Sequence, residues 1–153
     1  MADYAGAVAA VKAYFTSNWT ATPYGFVNEA APVSTYEDGT LRPWVLFELV
    51  HAGSTIMGSG TPGQQTIVYD GIINAHVFVE KGSGDADGLA KAIAIGELFR
   101  NKVLYDAVTA GCFVRTGFDR NGVPRIDSGD ITSDDGKWFT VTAAIPWEYW
   151  HRG

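Results

Sequence analysis

The length, composition and charge of the chain limit what it can be. With 153 residues, 46% of them hydrophobic, it is long enough for one domain with a buried core and too short to expect two. The 17 acidic residues against 11 basic ones give a formal charge of −6. With this charge we do not expect a protein that binds nucleic acid stably, because such binding needs clustered cations against the phosphates.

A single cysteine and a polar N-terminal segment indicate the compartment. Cys112 has no partner for an intrachain disulfide or a thiolate zinc cluster, which fits a reducing environment. The first residues, MADYAGAVAAVKAYF, carry charged side chains and predict neither a signal peptide nor a membrane span. We therefore expect a cytoplasmic protein, or one assembled in a cytoplasm, with no membrane contact.

The first predicted element is an amphipathic helix over residues 3–18. Its apolar side chains recur at helical spacing, and Lys12 lies on the other side. Pro23 and Gly25 end the helix, and the polar, breaker-rich residues 28–42 predict a long connection. The apolar positions are Ala7, Val8, Val11, Phe15 and Trp19.

Two strands joined by a flexible loop are predicted next. Residues 43–52, PWVLFELVHA, form a dense apolar run that favours a strand with both faces partly covered. Residues 53–64, GSTIMGSGTPGQ, are so rich in glycine and small side chains that they predict a mobile hairpin loop. Over residues 66–80 apolar and polar side chains alternate, which predicts a long antiparallel strand with one buried face.

A second helix and two more strands complete the predicted elements. After a glycine loop, Asp85 is predicted to cap a helix whose apolar stripe lies on the sheet. Residues 112–118 and 138–147 predict strands, and Asn121-Gly122 is the best hairpin signal in the turn-rich stretch between them. The predicted helical stripe consists of Leu89, Ala92, Ile93, Gly96, Phe99 and Val103.

Together these elements predict a single α+β domain over residues 1–153. We expect a mainly antiparallel sheet, with the N-terminal helix and one central amphipathic helix packed on it. The sequence contains no internal repeat that would indicate a solenoid or a second domain.

The glycine loop before the second helix has the local order of a phosphate-binding turn. Its glycines are Gly82, Gly84 and Gly88, so the spacing misses the dinucleotide pattern G-x-G-x-x-G by one residue, and no P-loop lysine is present. Asp85 and Asp87 stand where a phosphate would dock, and their charge would repel it. We therefore interpret the segment as a strand-to-helix turn and predict no nucleotide or other cofactor.

The histidines and the acidic pairs do not form a metal-binding pattern. The histidines are far apart in sequence and make no H-x-x-x-H or H-E-x-x-H pair. The acidic pairs fall short of the six or more oxygens that calcium needs. We predict no metal site at these positions, which are His51, His76, His151, Asp85 with Asp87, and Asp134-Asp135.

Cys112 is the one candidate nucleophile. His51 or His76 could act as its base if the fold brought them together. A lone cysteine at the start of a strand is more often a small core residue. We predict no catalytic residues, and a small cytoplasmic enzyme that uses Cys112 remains a remote alternative.

Aromatic residues are more numerous than a single core of this size needs. The chain has five Trp, seven Tyr and eight Phe. Trp147, Tyr149 and Trp150 follow each other closely at the end of the last predicted strand and beyond it. Such a segment is tucked over the sheet, used against another chain, or frayed and disordered; aromatic anchors are enriched at interfaces.

The order of the elements resembles that of a known family. A helix ending in Phe15 and Trp19 is followed by TPYGFVNE, the strand WVLFELV, a Gly/Ser-rich loop, the strand VYDGIINAHVFVE, the loop GSGD and the helix LAKAIAIGELFRN. In this order the chain resembles the tail terminator (tail completion) proteins of long, non-contractile-tailed bacteriophages and related gene-transfer particles. The likeness spans most of residues 2–103, and its key positions are Trp19, Thr22-Pro23, Asn28-Glu29, Gly71, Gly82, Gly84 and Phe99.

The resemblance implies a structural virion protein and not an enzyme. A tail terminator forms a hexameric ring on the head-proximal end of the tail tube, stops tube polymerisation, and provides the surface to which the head connector or stopper protein docks. DNA would pass through the acidic lumen without specific binding. The protein would be assembled in the host bacterial cytoplasm and would end in the virion tail.

Surfaces carry such a function, so the candidate residues are interface residues chosen from composition. They are Ile56 and Met57 in the glycine-rich loop, Asp119 and Arg120 beside the Asn121-Gly122 turn, and Trp147, Tyr149 and Trp150. The alternatives are another head–tail joining protein, such as a head-closure or adaptor component, or a tail tube subunit.

Overall fold

The structure is a computed structural model that describes residues 3–107, 111–118, 123–130 and 136–153. Within these ranges the chain forms two helices and seven strands in one sheet. The predicted α+β fold, mainly antiparallel with both helices packed on the sheet, is confirmed. In chain order the elements are α1 (Tyr4–Asn18), β1 (Tyr24–Phe26), β2 (Trp44–Ile56), β3 (Thr66–Glu80), α2 (Ala86–Phe99), β4 (Lys102–Ala107), β5 (Cys112–Thr116), β6 (Arg125–Asp130) and β7 (Trp138–Arg152).

The sheet is built around three long strands. Its order is β1-β2-β3-β7-β5-β4, and β6 pairs with β7 beside β5. All pairings are antiparallel except that of β1 with β2, which is parallel. Among the described residues no pairing joins β1 to β4, so the sheet is open rather than closed into a barrel.

Helix α1 forms where its periodicity predicts it. Asp3 Oδ1 accepts a hydrogen bond from the Gly6 backbone N–H at 2.9 Å, which satisfies one of the free donors of the first turn. Ala7, Val11 and Phe15 recur every four residues and are fully buried against the sheet. The helix therefore contributes one narrow apolar stripe to the core.

Helix α2 ends earlier than the sequence predicts. It stops at Phe99, and Asn101 adopts a left-handed conformation with φ 51°, which turns the chain back toward the sheet. Asparagine tolerates this region better than most residues with a side chain. As a result Val103 belongs to β4 and not to the helical stripe.

The buried stripe of α2 is centred one position away from the predicted one. Ala92, Ile95 and Phe99 are fully buried, whereas Ile93 is 50% exposed. Neighbouring helical residues differ by about 100° in direction, so burial of Ala92 turns Ile93 away from the sheet. Asp85 occupies the N-cap position, but its side chain makes no capping hydrogen bond.

The hairpin of β2 and β3 is longer than predicted. Residues 53–56, which were predicted to be loop, continue β2 as far as Ile56 and pair with β3. The register shifts between His51 and Gly53, a bulge that increases the local twist. The loop prediction was wrong there because Thr55 and Ile56 favour strands and the long partner strand β3 extends the pairing through Gly53 and Ser54.

Strand β7 is the central strand and also extends further than predicted, to Arg152. It pairs with β3 along its whole length, and with β6 and then β5 on its other side. On the side of β7 that faces away from β3, the partner strand changes at Pro146. The β6 pairs reach Ala144, and the β5 pairs begin at Trp147. Because Pro146 has no register partner on β6 or β5, its missing backbone N–H removes no hydrogen bond between strands.

Strands β4 and β6 were not predicted, and neither was the three-residue strand β1. Strand β4 lies where the helix was expected to end, and β6 lies in the stretch that reads as turns. Both are short, and short strands depend on their partners more than on their own composition.

Neither helix in the described part of the chain is long and apolar enough to cross a membrane.

Candidate functional site

Both helices pack on the same face of the sheet. The Phe15 ring of α1 stacks on Phe47 of β2 at 4.5 Å between centroids, and Gly88 of α2 approaches Val79 and Val141. Alternate strand positions point to the other side, which no helix covers within the described residues. We call it the helix-free face; its members include Trp44, Glu48, Val50, Asp70, Ile72, Asn74, His76, Phe78, Thr142, Glu148 and Trp150.

Four polar side chains form a hydrogen-bonded row at the centre of the helix-free face. His76 Nδ1 lies 2.8 Å from Thr142 Oγ1, and His76 Nε2 lies 3.2 Å from Glu48 Oε1. Asn74 Nδ2 donates to the same Glu48 oxygen at 3.1 Å. The row thus joins a hydroxyl, an imidazole and a carboxylate in the order that some hydrolases use.

The surroundings of this row favour a structural role. Thr142 is paired with His76 of β3 on one side and with Asp127 of β6 on the other, so the backbone of β7 is used by the sheet at this point. An oxyanion site needs free N–H groups beside the nucleophile. The row therefore acts as a brace across β2, β3 and β7, where each polar group satisfies its neighbour.

Aromatic side chains flank the polar row at both ends. Trp44 stacks on Phe78 at 4.4 Å with an interplanar angle of 11°, and Trp138 meets Trp44 edge-on at 6.5 Å. At the other end Trp150 stacks on Phe113 at 5.6 Å with an angle of 6°. Trp138 is buried, but the other rings are partly exposed on paired strands, so they present ordered apolar area of the kind found in contact surfaces.

The structure separates the three C-terminal aromatic residues that were predicted to form an interface. Trp147 and Tyr149 have no exposed area, because they point from β7 into the core beneath α1. They are therefore corrected from interface candidates to core residues, since a buried side chain cannot touch a partner of the folded chain. Trp150, one position further, points to the helix-free face, is partly exposed, and donates from Nε1 to Glu148 Oε2 at 2.8 Å.

The other predicted interface residues come from two further segments of the chain. Ile56 and Met57, at the end of β2, are 58% and 40% exposed and remain candidates. Asp119 and Arg120, like the Asn121-Gly122 turn beside them, lie outside the described residues.

A second polar contact fixes α1 to β4. The Tyr105 hydroxyl donates to Asp3 Oδ2 while the other carboxylate oxygen caps the helix. The Tyr105 hydroxyl, and after it the Gly6 N–H, lowers the pKa of the Asp3 carboxyl from its usual value. In return the hydrogen bond to Asp3 raises the pKa of Tyr105 to about 12.

We expect Tyr105→Phe to destabilise the fold in a pH-dependent way. Because the folded pKa of Asp3 is lowered, its contribution is present above the unfolded pKa and is lost as pH falls through the folded one. The difference in unfolding free energy between wild type and variant should thus shrink at acid pH, as measured by urea unfolding at several pH values. Tyr14→Phe, which loses a hydrogen bond to the Leu98 carbonyl at 3.1 Å, is the control. If the loss of unfolding free energy caused by Tyr14→Phe shrank as much at acid pH, the assignment of the pH dependence to the Asp3–Tyr105 contact would be contradicted.

Cys112 does not meet either of its suggested bases. Its side chain is 3% exposed, and its register partner on β7 is His151. His76 is held at Thr142, nine residues away along β7, which is about 30 Å at about 3.3 Å per residue. The His51 ring packs on Tyr69 at 5.2 Å instead. In this geometry Cys112 behaves as a small core residue.

The glycine loop and the acidic pairs also have structural explanations. Gly82 and Gly84 adopt φ 89° and 85°, so they make the left-handed turn that joins β3 to α2. Asp87, in the first turn of α2, is paired with Lys91. No three potential metal ligands come together among the residues that the structure describes, and Asp134-Asp135 lies outside them.

Two exposed residues that sequence reasoning missed stand at the two ends of the sheet. Val50 on β2 is 42% exposed and Val103 on β4 is 60% exposed. Val50 was read as part of a covered strand, and Val103 as part of a helix stripe. The uncharged run that follows Val50 was the available signal, but only the strand order shows that it lies at an edge.

Comparisons with known proteins inform the fold only. No protein-family model matches the chain, and no curated protein matches its sequence. A solved structure has a similar fold, with a TM-score of 0.58 and 16% sequence identity over 93% of this chain and 94% of its own. At that identity the likeness extends to the arrangement of helices and strands and to nothing finer.

Proposed function

We propose that this chain is a structural virion protein, a tail terminator of a long, non-contractile-tailed bacteriophage or a related gene-transfer particle. The observation that carries the proposal is the helix-free face, where apolar and aromatic side chains such as Trp44, Phe78 and Trp150 are presented on paired strands. A rigid surface of this kind suits contact with other subunits better than it suits chemistry. The element order that resembles the tail terminators supports the same function.

In this function the chain closes the head-proximal end of the tail tube as a hexameric ring. Its proposed partners are further copies of itself, the tail tube protein, and the head connector or stopper protein. A formal charge of −6 per chain favours free passage of DNA through the lumen, because carboxylates repel phosphates. The proposed location is the virion tail, after assembly in the host bacterial cytoplasm.

One observation favours a second candidate, a tail tube subunit. Such a subunit would use a long hairpin to contact the next ring, and β2 and β3 form a hairpin of 13 and 15 residues, longer than the sequence predicts. Its tip carries the exposed side chains of Ile56 and Met57. A head-closure or adaptor component remains a further alternative within the same class.

Electron microscopy of particles made with and without the gene tests the proposal. Without a terminator we expect tails of uncontrolled length beside unattached, filled heads, because tube polymerisation has lost its stop. Loss of a tube subunit would remove the tails, and loss of a head-closure protein would leave tails of normal length beside heads that have lost their DNA. Normal, joined particles would contradict all three functions. Expression of the wild-type gene in trans is the control, and it should restore normal tails.

A further inference from the structure

The two ends of the sheet are open in different ways. At one end β1 pairs only with Val45–Phe47, so the outer edge of residues 48–56 of β2 has no partner strand among the described residues. At the other end β4 pairs only with β5 in the part of the chain that the structure describes. Each open edge presents backbone N–H and C=O groups that another strand can pair with.

The open part of β2 has little of the protection that natural proteins use to block an edge. Residues 49–56, LVHAGSTI, contain no proline and no Lys, Arg, Asp or Glu. Charged side chains and proline are the usual protection against edge pairing, and the bulge between His51 and Gly53 is the only such device here. An edge left unprotected in an ordered strand indicates that it is used.

The apolar side chains exposed on strands are found at these two ends. Within the described residues the large hydrophobic side chains that are both exposed and on a strand are Val50 and Ile56 of β2 and Val103 of β4. The inner strands expose none in the described part. The most exposed apolar side chains on strands therefore lie at the two ends of the sheet, whereas Phe78 and Trp150 on the inner strands are only partly exposed.

Val50 and Val103 lie on the same side of the sheet. Following the cross-strand pairs from β4 through β5 and β7 to β3 leads from Val103 to Asp70. On the other side of β3, Val50 pairs with Ile72. Asp70 and Ile72 are two residues apart and point to the same side, the helix-free face. If the two edges met, Val50 of one copy and Val103 of the other would form a cross-strand apolar pair.

We propose that copies of this chain associate head to tail, with the open edge of β2, residues 48–56, pairing with β4 of the next copy. Four antiparallel steps separate β2 from β4, so the two strands run in the same direction. In a ring whose axis follows the strands they would pair in parallel, as β1 already does with β2. The six residues of β4 fit within the nine-residue edge that β1 leaves open.

The charges of the two edges are compatible with this pairing. Each copy carries a formal charge of −6, so contact is favoured where carboxylates are few; residues 49–56 of β2 have none, and in β4 the charge of Asp106 is balanced by that of Lys102. The outer edge of β6 carries Arg125, Asp127 and a register shift, and β4 likewise carries Lys102, Asp106 and a register shift, so among these edges only that of β2 is free of charged side chains over residues 49–56. Pairing of two β2 edges would close a dimer and leave β4 unused. The inference deepens the proposed function and rests on it only for closure into a ring.

Lysine substitutions at the two edges test the pairing in the full chain. We expect wild type to form oligomers as concentration rises in sedimentation velocity, and Val50→Lys and Val103→Lys each to raise the Kd of association by roughly tenfold or more, because the ammonium must be desolvated. Both sites are exposed, so the monomer should stay folded. Ile93→Lys, the same kind of change at a 50% exposed site on α2, is the control and should associate as wild type does.

Mixing the two variants separates head-to-tail pairing from symmetric pairing. A Val50→Lys copy keeps an intact β4 edge and a Val103→Lys copy keeps an intact β2 edge, so the mixture should form a heterodimer and stop there. Dimers of Val103→Lys alone would show β2 pairing with β2 and overturn the proposal. A wild-type chain that remains monomeric to millimolar concentration, or edge variants that associate as the control does, would also overturn it. The tail-length phenotype is measured separately, so the proposed function can stand or fall on its own.

Discussion

Replacing Trp147 by alanine is expected to remove about 3–5 kcal/mol from the free energy of unfolding, which is a large part of the about 5–15 kcal/mol of a typical domain. The Trp147 side chain has no exposed area, and its ring lies 6.1 Å from that of Tyr4 on α1. The substitution would leave a cavity between α1 and the sheet at a point where paired strands cannot close in to fill it. Urea unfolding followed by circular dichroism measures the loss.

Trp150→Ala is the matched control, because the two residues have the same chemistry on the same strand. Trp150 is partly exposed and loses its stack on Phe113 and its hydrogen bond to Glu148, so we expect about 1–2 kcal/mol. The Trp150 variant should remain folded, and under the proposed function it should weaken association of the ring or of the ring with the tube. Equal destabilisation by the two variants would contradict the assignment of Trp147 to the core and Trp150 to the surface.

Gly71→Ala is expected to cost about 1–3 kcal/mol or more, because the site has no room for a Cβ atom. A Cβ at this position would collide with the backbone carbonyl oxygen of Val50 and with Nε1 of Trp147, whose indole lies over the glycine. The Val50 oxygen belongs to the neighbouring strand and cannot move without disturbing the ladder. The midpoint of urea unfolding should fall accordingly.

Gly53→Ala is the control for this second prediction. Gly53 lies on the same hairpin, and a Cβ there meets nothing within 4 Å. The change should be neutral or stabilise the fold by up to about 1 kcal/mol, because alanine restricts the unfolded chain. If Gly71→Ala were equally harmless, the close contact of the indole with the strand backbone would be disproved. A smaller penalty in the Trp147→Phe background would show that part of the cost comes from the indole.

Several elements were determined by the sequence alone because their signal is local. In α1 the spacing of Ala7, Val11 and Phe15 places three apolar side chains on one stripe whatever the stripe packs against. Residues 66–80 alternate for long enough that β3 was predicted with the bounds the structure has. The reading of Gly82 and Gly84 as a turn likewise depends only on their backbone freedom.

Only the tertiary structure decided which strand lies beside which, and this determined the candidate surfaces. Read locally, Pro146 argues against a central strand. It is tolerated because the partner of β7 changes from β6 to β5 at this residue. Pairing with β5 then extends β7 beyond Pro146, and Trp147 and Tyr149 are buried. In the same way Val50 and Val103 become edge residues through the strand order and through nothing in their own neighbourhood. Strand pairing joins residues that are far apart in sequence, so its energy is absent from any local pattern and is decided by the whole sheet.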